Sequence, residues 1–353
     1  MISKTRIFRI GTEYASYVDI GRAAGAIIKE GGTVAFPTET VYGLGADALN
    51  PDAVGKIFEA KARPPDNPLI VHISSTEQLP DLVEDIPKRA FDLMDAFWPG
   101  PLTMIFKRKE LVSDIITAGL DTVAVRMPDN PIALLLIEEA CTPIAAPSAN
   151  RSGMPSPTTT QHVISDLDGR IDAVIDGGAV KIGVESTVVD MTSETPVLLR
   201  PGGIGIDEIR DVIGEVAIGY LDRMLEEGEV ARSPGMRYTH YSPETKMVLV
   251  SGSSNSVMDR ISKFVSDYSG QGLRVGLLAT EETAEHIIAD EIFILGGRDD
   301  IALIASNLFA GIRYLDGRNV DVIIADGSMR SDGIGAAVRN RLKKAADEEF
   351  ANR

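Results

Sequence analysis

Apolar and polar positions follow two regimes along this chain. Up to about residue 214, short apolar runs alternate with helical periodicities in no fixed order. Thr33–Phe36 reads as a strand running into a Pro-Thr turn, and Leu69–Ile73, Leu102–Phe106 and Val123–Met127 read as further strands. Helix patterns cover Asp52–Ala62, Pro87–Phe97 and Pro131–Ala140. The first has Asn50 as its cap, Pro51 in its first turn and Pro64-Pro65 as its stop. Pro143–Ala146 is a short strand that leads into a loop at Ser148. Strands at Asp172–Ile175, Ser186–Asp190 and Val197–Leu199 and a helix near Asp207–Ile213 close this part. Some strands are separated by helices and others only by short loops, which predicts an α/β domain with a mixed, twisted sheet.

From Met247 the regime changes. Met247–Val250, Val275–Ala279, Ile292–Leu295 and Val320–Asp326 are short, continuous apolar runs separated by helical stretches, with a last helix near Ala336–Ala346. Buried parallel strands have this signature, and the βαβ alternation predicts a smaller, doubly wound, Rossmann-like domain. Between the two regimes, residues 227–243 (EGEVARSPGMRYTHYSP) lack periodicity and hold Pro, Gly, Ser and two Tyr, as a lid or linker would. The expected organisation is a first domain over 1–214, a linker or lid over 215–245 and a second domain over 246–353.

Composition narrows the class. With 353 residues, 44% hydrophobic and 25% charged, the chain has the make-up of a globular protein of two or three domains. No apolar run approaches a membrane span, and the N-terminus lacks a signal-peptide core; both point to the cytoplasm. The single cysteine, Cys141, excludes an internal disulfide and a multi-cysteine zinc site. Its place in an apolar helix pattern reads as an inert buried thiol. A net charge of −17 argues against bulk electrostatic capture of nucleic acid. Cations set against that background, notably Lys61, Arg63, Arg126 and Arg200, therefore stand out.

Two segments carry candidate chemistry: 35–72, with AFPTETVYGLG and KARPPDNPLIVH, and 146–158, APSANRSGMPSPT. Each crowds hydroxyls, amides and cations between apolar runs, and polar groups so placed converge on a ligand. Gly43–Ala48 has the spacing of a dinucleotide fingerprint. However, Asn50-Pro51 starts the next helix later, so the glycines are read as allowing a tight turn and close approach to a ligand. No GxxxxGK[ST] loop exists, so a triphosphate would be held by side chains. Lys61 and Arg63 suit a helix C-terminus. Pro64-Pro65 and Asn67-Pro68 stiffen the loop that bears them, which also suits a preorganised anion site. Ser148 and Asn150 fit an ordinary turn or a site loop, and Ser156 and Thr158 fit a helix cap. His72 fits a core position as well as a catalytic one. No metal-ligand cluster is visible.

Taken together, Phe36–Leu44, Lys61-x-Arg63 with Asn67-Pro68-Leu69, Pro147-Ser148-Ala149-Asn150-x-Ser152-Gly153, Glu185–Asp190 and Leu199–Gly202 resemble the YrdC-like threonylcarbamoyl-AMP synthases. The likeness covers about Gly11–Gly214, with one departure: Ala62 stands where relatives often have Gly. The segment from Ser233 to Pro243 and the second α/β domain look like that family's two-domain form. The resemblance implies a nucleotidyltransferase that turns L-threonine, bicarbonate or CO2, and ATP with Mg²⁺ into threonylcarbamoyl-AMP and pyrophosphate. That product feeds the t6A modification of tRNA through a partner transferase, without tight tRNA binding by this chain. It implies no protein nucleophile. Thr40, His72, Arg126, Ala146 and Ser186 would line the threonine site. Arg63, Asn67, Thr122, Ser148, Ser156 and Arg200 would hold ATP, with Lys61 and Asn150 on the phosphate side. Tyr238 and His240 would cover the nucleotide, with Arg232 and Arg237 as further lid candidates. An RNA-binding module is disfavoured by the charge. A hydrogenase-type carbamoyl-transfer factor is disfavoured by the lack of zinc-finger cysteines.

Overall fold

A computed structural model describes residues 4–10, 14–219 and 241–351. Among these, one compact unit holds 4–10, 14–152, 156–181 and 185–219. The other holds 153–155, 182–184 and 241–351.

The first unit is built on β1 (Arg6–Arg9), β2 (Val34–Pro37), β3 (Tyr42–Asp47), β4 (Ile70–His72), β5 (Leu102–Lys107), β6 (Thr122–Arg126), β7 (Ile144–Ala145), β8 (Ala173–Asp176), β9 (Thr187–Asp190), β10 (Val197–Arg200) and β11 (Ala217–Ile218). They form one sheet in the order β1-β8-β2-β3-β7-β4-β6-β5-β9-β10-β11. Parallel pairs such as β4 with β6 and β5 with β9 alternate with antiparallel pairs such as β2 with β3 and β5 with β6. The mixed α/β sheet expected from the sequence is therefore present.

Local chemistry explains the elements. The Asn50 side chain accepts from the backbone N–H of Asp52 and Ala53 and starts the Pro51–Lys61 helix as its spacing predicts. Ala62, left-handed at φ 51, ends it. The turn between β2 and β3 is fixed by Thr38. Its hydroxyl donates to the Val41 carbonyl at 2.7 Å and accepts from the N–H groups of Thr40 and Val41, both at 3.2 Å.

Two expectations fail here. The Gly43–Gly45 segment is not a turn: both glycines lie within β3, paired antiparallel with β2. A Cβ on Gly45 would stand 2.6 Å from Ile144 Cγ2 and 2.8 Å from Phe36 Cε1, so a neighbouring strand and its aromatic ring demand the glycine. Cys141 is exposed, not buried. The Pro131–Ala140 helix stops one residue before it, and the left-handed cap at φ 52 turns its side chain out of the apolar stripe.

Helices cover both faces of the sheet. One face packs Val71, Met104, Val125, Val189 and Leu198 with Leu93, Met94, Val163 and Ile209. The other packs Val34, Phe36, Ala173 and Ile175 with Ala24, Ile28, Leu136 and Ile137.

The second unit is a five-stranded sheet of β12 (Lys246–Ser251), β13 (Val275–Ala279), β14 (Glu291–Ile294), β15 (Val322–Gly327) and β16 (Glu348–Ala351), in the order β14-β13-β15-β12-β16. Every pair is parallel. Helices Ser254–Gly270, Ile301–Asp316 and Ile334–Ala345 connect them, giving the doubly wound fold read from the apolar runs.

Candidate functional site

Side chains alternate between faces along a strand, so register decides what meets what. His72 pairs with Arg126, Arg126 with Thr103, and Thr103 with Val188. These four residues therefore share one face, together with Thr122 and Ala124 on β6. Arg200 joins them through an irregularity. Leu198 pairs with Val189 but Arg200 pairs with Val188, so a bulge brings Arg200 onto the face of Val188. The floor of this face is a small apolar cluster of Ile70, Ile105, Ala124, Val188 and Leu199. Its rim is a row of polar groups.

The row is connected. The guanidinium of Arg126 donates from Nη1 to Thr40 Oγ1 at 3.0 Å and from Nε to the Gly100 carbonyl at 3.2 Å. Its Nη2 lies 2.6 Å from Glu39 Oε1. Thr40 Oγ1 is 2.8 Å from Thr38 Oγ1, so the hairpin turn sets its position. Arg200 donates from Nε to the Ser186 carbonyl and from Nη2 to Ser186 Oγ, both at 3.0 Å. Ser186 Oγ in turn lies 2.7 Å from Thr103 Oγ1. Gly202 lets this corner close: a Cβ there would sit 2.2 Å from the backbone nitrogen of Thr187. The Ala146 N–H is held by the Ile70 carbonyl at 2.9 Å.

The loops are tied in the same way. Lys61 is buried, and its ammonium donates to the carbonyls of Ser148 and Asn150. Ser148 Oγ donates to Asn150 Oδ1. The helix exit and the SAN loop are thereby joined by the lysine expected on the phosphate side. Arg63 braces its own loop, with Nε and Nη2 3.3 and 3.2 Å from the Asn67 carbonyl and Nη2 3.0 Å from that of Pro68. Ser156 does not act as a helix cap. It donates to Oε1 of Glu185, which is buried, while Thr159 caps the Thr160–Leu167 helix. Thr122 starts β6, two register steps from Ala124 and four from Arg126. Tyr238 and His240, with Arg232 and Arg237, lie outside the described residues.

Electrostatics single out His72. Burial, and next the Arg126 charge, lower its pKa from 6.5 to about 3. The ring is neutral at neutral pH, and its Nδ1 makes no well-formed hydrogen bond, although the Ile70 and Ile144 backbones favour the protonated form. It is not alone. Asn67 is 1% exposed, and neither its Oδ1 nor its Nδ2 is hydrogen-bonded. Nη2 of Arg126 and both oxygens of Glu39 are also without hydrogen bonds. The Arg126–Glu39 contact thus has ion-pair distance without hydrogen-bond geometry. The hydroxyls of Ser113 and Thr117 also lack hydrogen bonds. Buried polar atoms are nearly always partnered in folded proteins, so His72 and Arg126 on one strand face, with Glu39 against Arg126, suit a polar ligand. Among the described residues, no group of three or more His, Cys, Asp or Glu is placed to hold a metal ion, and no helix is long and apolar enough to cross a membrane.

A family model described as "Telomere recombination" matches residues 26–202, and one described as "Threonylcarbamoyl-AMP synthase, C-terminal domain" matches residues 204–347. The threonylcarbamoyl-AMP synthase of Pyrococcus abyssi is 50% identical over 325 residues, covering 92% of this chain and 93% of its own length. The chain belongs to the threonylcarbamoyl-AMP synthase family. The Bacillus subtilis threonylcarbamoyl-AMP synthase is likewise 50% identical, covering 92% of each chain. The crystal structure of P. abyssi Sua5 complexed with L-threonine matches 99% of both chains at 47% identity, with a TM-score of 0.92. The two-domain form of the threonylcarbamoyl-AMP synthases, read from the motifs, is thus borne out across the chain. Sequence reading missed three residues of the site: Glu39, Thr103 and Glu185. Thr103 had a signal, as the lone hydroxyl in the apolar strand Leu102–Phe106. Glu39 and Glu185 lay inside recognised motifs, but nothing in their spacing showed that they would be buried.

Proposed function

We propose that this protein condenses L-threonine, bicarbonate or CO2, and ATP into threonylcarbamoyl-AMP and pyrophosphate, as the names of its relatives imply. The observation that carries the reading is the buried polar atoms left without hydrogen bonds at His72 and Arg126, which share one sheet face, and at Asn67 in the loop before β4. Arg126 presents its Nη2, the guanidinium nitrogen without a hydrogen bond, for a charge-assisted contact with an α-carboxylate. Thr40, Ser186 and the neutral ring of His72 offer acceptors and donors for the ammonium and hydroxyl of threonine, and Ala146 leaves room for its methyl. Asn67 has a free amide for an adenine or ribose edge. Arg63, Arg200 and Lys61, with Thr122, Ser148, Asn150 and Ser156, supply the cationic and hydroxyl side for the phosphates.

Threonine's carbamate oxygen would attack the α-phosphorus of ATP, with pyrophosphate leaving. Positioning and charge stabilisation suffice for such a transfer, and no protein nucleophile is needed. Among the described residues no acidic cluster is placed to hold Mg²⁺, which would arrive with the ATP phosphates and neutralise charge there. The proposal includes the domain roles: 1–214 catalytic, 215–245 a lid bearing Tyr238 and His240, and 246–353 a Rossmann-like domain. It also includes a cytoplasmic location, a t6A transferase partner that consumes the product, and no tight tRNA binding by this chain. The test is pyrophosphate release from ATP with each component omitted in turn. Release should require both L-threonine and bicarbonate; release that ignores threonine contradicts the reading.

A further inference from the structure

Glu39 has no task in the account above. It sits in the turn that Thr38 fixes between β2 and β3 and is 4% exposed. Its carboxylate faces Arg126 Nη2 at 2.6 Å, yet neither oxygen accepts a hydrogen bond. A buried carboxylate offers about four acceptor sites. A buried ion pair is stable only when hydrogen bonds satisfy the lone pairs that the partner leaves over. Here they are left empty. Arg126, by contrast, has committed Nε and Nη1 and keeps Nη2 without a hydrogen bond. The ion pair therefore leaves two things unmet at one place: carboxylate lone pairs on Glu39 that no N–H reaches in line, and an Nη2–H on Arg126 that no acceptor meets in line. The zwitterion of an α-amino acid supplies partners for both, and the site has the same net charge before and after it enters.

Resting on the proposed reading of the threonine site, we propose that Glu39 receives the α-ammonium of L-threonine and accepts the proton that this group must lose before its nitrogen can be carboxylated. The step balances. The ammonium gives one proton to the Glu39 carboxylate, leaving a neutral amine and a carboxylic acid. The amine nitrogen then bonds to the carbon of bicarbonate, and water leaves as the carbamate forms. The carboxylic acid returns its proton to solvent. Glu39 also lines a cleft of about 240 Å³ together with Thr38, Asp129, Asn130 and Lys181, although both its carboxylate oxygens are buried. The charged or titratable groups facing Glu39 are thus Arg126 from β6 and Asp129 and Lys181 across the cleft. His72 from β4 lies beside Arg126 and stays neutral.

The test uses the full chain and threonine-dependent pyrophosphate release. Glu39→Gln keeps the size and loses the acceptor. Its kcat/KM for L-threonine at neutral pH should fall by about 100-fold or more, the scale of a lost general base. The loss should shrink as the pH rises and free threonine amine forms, while KM for ATP stays within about threefold. Glu39→Asp should recover part of the rate. A purely structural role would lower the rate equally at all pH values, and that outcome overturns the proposal, as does unchanged activity in Glu39→Gln. A ligand-side measurement needs no variant. (2S,3R)-2,3-dihydroxybutanoate keeps the carboxylate and side-chain hydroxyl of threonine but replaces the ammonium with a hydroxyl. The wild-type protein should bind it at least about 10-fold more weakly than L-threonine; equal binding overturns the proposal. If the wild type releases no threonine-dependent pyrophosphate, the reading of the site fails first, which separates that failure from the failure of Glu39.

Discussion

Each of the two sheets carries a buried polar cluster, and the two clusters are built in opposite ways. In the parallel sheet, β13 connects toward β14 and β15 toward β16, so their adjacent C-terminal ends form the topological switch point where such folds often bind ligands. Asp326 sits there, fully buried. It accepts from Thr280 Oγ1 at 2.9 Å, from the Thr280 N–H at 3.3 Å and from the Ser328 N–H at 2.8 Å. Arg298 closes the cluster through Ser328 Oγ at 3.1 Å. Among the described residues, no buried side-chain atom of this group lacks a partner. In the mixed sheet, Glu39, Asn67, His72 and Arg126 are comparably buried and leave atoms without hydrogen bonds, although Glu39 and Arg126 form an ion pair. Burial of polar groups alone therefore does not mark a ligand site. A saturated network stabilises the fold, whereas an unsaturated one costs stability until a ligand fills it.

That contrast can be broken from either side. The largest effect is expected in the saturated cluster. Asp326→Ala removes a charged acceptor from three donors and should cost about 3–5 kcal/mol of stability in denaturant unfolding. Threonine-dependent turnover should change by less than about threefold wherever the fold persists. If Asp326→Ala instead abolished activity and left stability intact, the saturated cluster would be a functional site after all.

The unsaturated cluster should respond the other way. Asn67→Ala deletes an amide whose partners are absent, so stability should shift by under about 1 kcal/mol. ATP affinity should fall about 10–100-fold, the equivalent of one or two lost hydrogen bonds. A stability loss of several kcal/mol with normal ATP binding would reverse the assignment.

A third effect is read through pH. His72 takes up its proton near pH 6.5 in the unfolded chain but only near about 3 in the folded one. Between those values the unfolded state binds more protons, so stability rises with pH there. The contribution of the neutral ring is complete above about 6.5. It is lost at about 1.4 kcal/mol per unit as the pH falls toward 3. His72→Gln should flatten that slope; an unchanged slope would show that the ring is not buried neutral.

How much of this was legible in the sequence differs between the same two regions. The parallel sheet was plain, because strands buried on both faces are continuous apolar runs, as in Val275–Ala279 and Val322–Gly327. Its edge strand Glu348–Ala351 was not, since EEFA carries two charges and little apolar pattern. In the mixed sheet, β1 (RIFR) escaped notice for the same reason, being an exposed edge. The Gly43–Gly45 strand was mistaken for a turn because glycine signals close approach without saying what approaches. Here it is Phe36 and Ile144 across the ladder. The site residues were found as motif members, yet their mutual geometry was hidden. Register places His72, Arg126 and Thr103 on one face, and a bulge that no local pattern announces adds Arg200. Cys141 shows the limit of periodicity at a helix end, where one left-handed residue turns a core position into a surface one.

The claim that unites these observations is that the atoms of Glu39, Asn67, His72 and Arg126 left without hydrogen bonds are the partners of L-threonine and ATP. A crystal structure of the full chain with L-threonine and a non-hydrolysable ATP analogue tests it directly. The account predicts ligand atoms within hydrogen-bond distance of Asn67 Oδ1 or Nδ2, His72 Nδ1, Arg126 Nη2 and a Glu39 oxygen, with the Thr280–Asp326–Ser328 cluster unchanged. Ligands seated elsewhere, with those four side chains still unpaired or bridged only by water, would contradict it.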